Sequence, residues 1–551
     1  MKKGTVILLS AIALLGLSFT IEDSPLEKLI AQLKKYTESY PQEKVHIQTD
    51  KPYYAVGEDI WFKAYVVTAE KNEPSLLSSV LYLDLVNEED RMVKTHTVSI
   101  ENGSGNGNIS LLDTIPSGTY RLRAYTNYMR NYDADFFFEK TITIGNVLDK
   151  PNVPENARKL TVNAQFFPEG GNLVNGIRSR VGIKVIKNDG LGMDLSGYVI
   201  NKKKEKVALF STEYAGMGAF ALTPENGDEY TAVITLPDGS EKSVKLPEAI
   251  QEGYTLGVNN IAGNLKVQIN CSPAMTNGKE MYLLAQVNGK VFSSLRFNAS
   301  KPVFIASIPS KNFPTGIVQF TLLNAERSAV AERIAFVNHN DALNININNS
   351  VPGRTKQKAI LDISVKDAEG TPIDGNFSIS VTDMSKVSFT EDEDISILSN
   401  LLLTSDIKGF IERPNYYFNN IDEKKIRHLD NLLLTQGWRR FSWKDIIANK
   451  EPEITFRAEP SLEITGNIRT LTKKPYPNAR IILLSITKDF PLVLDTVSDA
   501  KGNFVFDRLD IPDSAVFIVQ AKSQKDRKNM IVTVSERPKP SARKIIEAPF
   551  N

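Results

Sequence analysis

Short stretches in which apolar and polar residues alternate recur along nearly the whole chain, and alternation of period two marks half-buried strands. Val45 and Ile47 alternate ahead of Asp50-Lys51-Pro52, where a proline with no N–H stops the ladder. A permissive Gly57 follows, and Ile60, Phe62, Ala64 and Val66 resume the pattern. Further strands are predicted near Val80–Val86, Met92–Ile100, Asn108–Leu112 and Thr119–Thr126. A strand, proline turn, strand phrase then recurs: Asn108–Leu111 with Pro116, Gly218–Leu222 with Pro224, Val303–Ile305 with Pro314, and Gly502–Phe506 with Pro512. The spacing is near the roughly 100 residues of one β-sandwich, which predicts a tandem array.

Helical spacing appears in three places. Leu26, Ile30, Leu33 and Tyr36 predict an amphipathic lead-in helix. The acidic run Glu391–Asp394 precedes the apolar Ile395–Leu403; acidic residues suit a helix start, and a Ca²⁺ site is the other reading, although the glycine and spacing of an EF-hand loop are missing. A further helix is predicted over Lys424–Gln436, followed by Trp438-Arg439-Arg440-Phe441-Ser442-Trp443. Trp438, Arg439, Arg440 and Trp443 either form a partner or glycan surface or staple the helical insert to its sandwich. The Gly103–Gly107 stretch lacks the Lys-Ser/Thr and helix of a phosphate loop and is expected to be a mobile hairpin tip.

These patterns divide the chain into a signal peptide (1–20), a lead-in helix (21–42) and sandwiches over 43–147, 159–248 and 254–340. A fourth sandwich with a helical insertion (343–450), a last sandwich (460–536) and a frayed tail (537–551) complete it. The polar Leu148–Arg158 reads as a linker.

Length alone implies about three to five domains. Composition adds exclusions: 41% hydrophobic, 24% charged and a net charge of +1 do not suit a nucleic-acid binder. Met1-Lys2-Lys3, the apolar run Val6–Leu17 and the small residues near Thr20 read as a secretory signal, with no later stretch apolar enough to span a bilayer. Cys271 is the only cysteine, so an exported chain must rely on packed cores; at a strand end it reads as a small buried side chain. The four histidines, His46, His96, His339 and His428, are scattered and read as solvated or structural, with His428 on the polar part of its helix. No G-x-S-x-G elbow or HExxH pair is present.

Thr49-Asp50-Lys51-Pro52 with Tyr54 and Gly57-Glu58 resembles the signature that opens a macroglobulin domain in the alpha-macroglobulin and complement-like family. Gly466-Asn467-Ile468, Pro477-Asn478-Ala479 and Thr496–Phe504 resemble the carboxypeptidase regulatory-like (transthyretin-like) sandwich. Phe167–Gly171, Leu401–Gly409 and Leu432–Phe441 are similar to exported macroglobulin-domain proteins of Bacteroidetes-type bacteria, where such units often precede a TonB-dependent receptor plug domain; no plug is recognisable here.

The resemblance implies a mainly β chain of tandem immunoglobulin-like, macroglobulin-type sandwiches with a small helical insertion. It implies a non-catalytic binding or scaffold protein of a Gram-negative envelope, periplasmic or at the outer membrane, with no cofactor or metal. Its partner would be another envelope protein, an outer-membrane TonB-dependent transporter among them. The family's thioester motif is Cys-Gly-Glu-Gln, whereas Cys271 is followed by Ser272-Pro273-Ala274. The alternatives are an accessory to such a transporter and a thioester-less protease inhibitor.

Overall fold

The corner at Asp50 shows how the first unit starts. Its Oδ1 accepts from Tyr54 Oη at 2.6 Å and from the Trp61 amide at 3.1 Å. Lys51 Nζ lies 2.9 Å from Glu58 Oε2, which also accepts from the Ala55 amide at 2.8 Å. Gly57 supplies the left-handed φ of 80° that closes the turn. Asp50, Lys51, Tyr54, Gly57 and Glu58 of the motif thus form a closed network that redirects the chain between two sheets.

The computed structural model describes residues 24–146, 160–350, 356–438, 440–488, 490–509, 511, 515–523, 529–535 and 540. The signal peptide, the Leu148–Arg158 linker and nearly all of the tail lie outside them, as does Arg439.

The architecture is mainly β, with few helices. In the first unit a sheet of Glu43–Thr49, Asp59–Thr68 and Ser104–Ser110 faces a five-stranded sheet running Tyr53–Ala55, Phe138–Gly145, Gly118–Thr126, Val80–Val86, Met92–Ser99. Ile47, Ile60, Leu83 and Leu122 are fully buried between them. Of the Gly103–Gly107 stretch expected to be a hairpin tip, only Gly103 lies in one, in the two-residue turn between the bridged Glu101 and Ser104. Ser104–Ser110 is a paired strand, and a Cβ on Gly103 or Gly105 would lie 2.7 Å from the Val66 carbonyl or 2.6 Å from that of Ser99. These glycines permit close backbone approach.

The second unit is one seven-stranded sheet, with Glu241–Lys245 at one edge and Val162–Pro168 at the other. Val162 and Ala164 share a core with Ala232 and Ile234, so the sheet folds over itself, with a register shift between Thr212 and Tyr214 at the bend. The third unit packs Tyr254–Ile261, Asn264–Cys271 and Val303–Pro309 against Lys290–Asn298, Glu280–Val287, Gly316–Leu323 and Ala329–Val337. Cys271 is buried in that core, and burial pushes its thiol pKa up. The last unit sets Ile464–Thr470, Asn503–Phe506 and Met530–Val534 against Arg480–Ser485, Val493–Val497 and Phe517–Lys522.

Residues 343–450 depart from the expected fourth sandwich. Among the described residues they contain one antiparallel ribbon, Asn344–Ser350 with Ile360–Lys366, and the Phe377–Asp383 stretch joins no sheet. The ribbon has no facing sheet, because the segment after it packs against other units.

Candidate functional site

That segment, residues 396–447, is where the buried polar chemistry concentrates. It starts at Ser396, whose hydroxyl accepts from the Ser399 amide, rather than at the acidic run. The acidic residues are instead paired: Asp394 with Lys140 at 2.6 Å, Asp392 with Asn419 at 3.1 Å, and Glu393 with Arg413 at 3.4 Å. Among the described residues no three His, Cys, Asp or Glu side chains are grouped to hold a metal. A wide π-type helical turn over Asn400–Thr404 follows, closed by the Ser405 amide donating to the Asn400 carbonyl, then the helix Glu423–Thr435, N-capped by Asp422, and the short helix Trp443–Ile447. The long helix starts and stops within a residue of the Lys424–Gln436 span expected.

Against the first unit, the segment presents Asp406, 2% exposed. One carboxylate oxygen meets Lys44 Nζ at 2.8 Å and the other meets Arg440 Nε at 3.1 Å. Lys44 also donates to the Leu401 carbonyl at 2.8 Å, and Arg440 donates to Gln42 Oε1 at 3.0 Å and to the Ser405 carbonyl. Burial pulls the Lys44 ammonium down to about 8, against the attraction of Asp406. His46, also fully buried, meets Asn400 Oδ1 through Nδ1 at 3.2 Å, and burial lowers its pKa to about 4.

Against the second and third units, the long helix presents Asp430. It pairs with Arg180 of the second unit and, at 2.5 Å, with Arg333 of the third. Arg333 also meets Glu169 Oε1 at 2.9 Å and the Leu433 carbonyl at 3.2 Å. Burial opposes ionisation of Asp430, but the two guanidinium groups outweigh it and hold its carboxyl below the usual range. Glu169 belongs to Phe167-Pro168-Glu169-Gly170-Gly171, and a Cβ on Gly170 (φ 85°) would come within 2.7 Å of the Leu256 amide nitrogen. That motif is the place where the second unit docks on the third. A cleft of about 480 Å³ lined by Glu169, Gln319, Arg333, Gln436 and Trp438 lies at the same joint.

His428 is 2% exposed rather than solvated. Its ring stacks on Tyr214 at 5.3 Å and its Nδ1 meets Tyr416 Oη at 2.9 Å, because this face of the helix covers the bend of the second sheet.

Of the residues singled out as a partner surface, the three that are described are closed off. Trp438, Arg440 and Trp443 are 3, 7 and 6% exposed. Phe441 stands edge-on to both tryptophans, at 5.0 and 5.3 Å, and Trp443 donates to Thr321 Oγ1 of the third unit at 3.0 Å. Trp443 and Ile446 also pack on Leu29 and Leu33 of the N-terminal helix Pro25–Ser39. The stretch is a staple. Sequence reasoning missed Asp406, Asp430, Arg180, Arg333, Lys44 and Leu29; single charged residues carry no periodic signal, whereas Leu29, three residues after Leu26 and four before Leu33, shares their helical spacing and could have been found from it.

No family model matches the chain. No curated protein matches it either. Among solved structures it is similar to dimeric latent PorU from Porphyromonas gingivalis, at TM-score 0.25 and 10% identity, covering 54% of this chain and 34% of that one. Escherichia coli alpha-2-macroglobulin activated by porcine elastase gives TM-score 0.21 and 10% identity, over 90% of this chain and 43% of that one. The tandem-repeat extending region of a large adhesion protein gives 0.15 and 10%, over 90% and 98%. The chain thus spans about a third to two fifths of the first two proteins. Scores this low fall short of a shared whole-chain arrangement.

Proposed function

We propose that this chain is a non-catalytic, exported scaffold of a bacterial cell envelope, in which a row of β units is held at set angles and offers loops and sheet edges to a partner protein. The observation that carries the reading is the pair of shared carboxylates: Asp406 ties the helical segment to the first unit, and Asp430 ties it to the second and third. Charge that is fully buried at Asp406 and half-buried at Asp430 adds little to stability but favours one arrangement of the units, which is what a spacer requires. The macroglobulin-like corner at Asp50 and the regulatory-like pattern of the last unit agree with it. A trap of the macroglobulin type needs a large rearrangement, and a junction locked on three sides opposes one.

Affinity purification of the tagged chain from its own envelope, followed by reconstitution from pure components, tests this. One partner that rebinds stoichiometrically is the expected result. If that partner is a TonB-dependent barrel, the scaffold is a transport accessory. A peptidase whose capture requires cleavage of this chain would replace the scaffold with an inhibitor, and no rebinding partner would overturn the proposal.

A further inference from the structure

The ribbon of Asn344–Ser350 and Ile360–Lys366 is amphipathic over Asn344–Asn348 and Leu361–Lys366, and its apolar face there is uncovered. Ile345 and Ile347 stand opposite Val365 and Ile363, with Leu361 beside them, all on one face; Asn344, Asn346 and Asn348 share the other with Lys366, Ser364 and Asp362. Ile345 and Ile347 are each 54% exposed, and Leu361 and Ile363 each 41%. Two strands alone are at best marginal in water, and three or more with an apolar face are needed for independent stability.

The two edges of this ribbon differ. Ile360–Lys366 carries Asp362 and Lys366, charges of the kind that blunt an edge against further pairing. Asn344–Ser350 has no charge, no proline and, in the described pairing, no bulge, and among the described residues no strand pairs with its outer side. It also reads identically in both directions over Asn344-Ile345-Asn346-Ile347-Asn348. A palindromic strand is complementary to itself when turned antiparallel, which is the relation a two-fold axis imposes. About Asn346, each Ile345 falls opposite the copy's Ile347 and each Asn344 opposite the copy's Asn348. The apolar face then continues through both ribbons.

We propose that this chain forms a two-fold dimer by antiparallel pairing of the Asn344–Asn348 edge with that of a second copy, making a four-stranded sheet centred on Asn346. Pairing over so few residues buries well under the roughly 1,200 Å² at which stable interfaces begin, so the dimer is weak and concentration-dependent.

Analytical ultracentrifugation of the full chain over about 1 to 200 μM, a range set by that small area, reads the association. Wild type is expected to shift from monomer to dimer, and Asn346→Lys, which sets two like charges face to face at an exposed site, to remain monomeric. Register is read by mild oxidation of cysteine variants. Asn346→Cys places two thiols across a β-pair with Cα atoms about 4.5–5.5 Å apart, within disulfide range, whereas the Asn344→Cys sites lie four strand steps, about 13 Å, apart. A covalent dimer from Asn346→Cys only, with wild type as the control for buried Cys271, is expected. A chain monomeric throughout, a dimer that survives Asn346→Lys, or equal cross-linking at both positions would each overturn the proposal.

Discussion

Asp406 illustrates why removing one partner of a buried pair costs more than the pair itself supplies. With the carboxylate gone, Lys44 and Arg440 keep their burial and lose their counter-ion. Asp406→Ala should therefore lose about 3–5 kcal/mol in denaturant unfolding, whereas Arg480→Ala, at an exposed pair with Asp495, should change by less than about 1 kcal/mol. His46 makes the junction sensitive to acid. Its folded pKa, about 4, lies below the 6.5 of the free side chain, so the unfolded chain binds the proton more tightly. The neutral imidazole's contribution is intact above about pH 6.5 and is lost progressively as pH falls toward 4, by about 3 kcal/mol in total. Melting temperatures measured between those limits should fall less steeply for His46→Gln than for wild type. Cys271, buried with a raised pKa, should react with a thiol reagent only when the third unit opens, so its labelling rate should follow added urea.

At the scale of the element, strands were legible because alternation maps directly onto the two faces of a sheet: Ile60, Phe62, Ala64 and Val66 are all buried in the first unit, as their spacing predicts. The long helix was legible from its leucines, which pack on the second and third units. The Trp438–Trp443 stretch was ambiguous in sequence, since aromatic and arginine side chains serve surfaces and joints equally; contact with Thr321 and the N-terminal helix decides it. Alternation alone does not make a strand: Phe377, Ile379 and Val381 alternate with polar residues yet are 41, 59 and 80% exposed outside any sheet. Trp443→Ala should empty the pocket that receives Leu29 and Leu33 and cost about 3–5 kcal/mol. Hydrogen exchange should show Pro25–Ser39 losing protection before the sheets do.

For the whole molecule, the arrangement of units was not legible, because it rests on individual charges brought together from distant parts of the chain. Asp430→Ala removes the carboxylate that Arg180 and Arg333 share. Distances between spin labels on the second and third units should broaden in that variant while each unit keeps its own secondary structure. The same geometry sets an order of events in time. Lys44 and Asp406 are 362 positions apart, and Gln42 and Arg440 are 398 apart. A chain emerging from its N-terminus can pair its first strands early, but Lys44 waits for its counter-charge until Asp406, 362 positions later, has been made. Long-range closure of this kind is slow and leaves sticky surface open meanwhile. The newborn chain is thus expected to need shelter from a chaperone until residue 440 arrives, and refolding should end in a slow phase, reported by Trp443 fluorescence, in which the staple closes last.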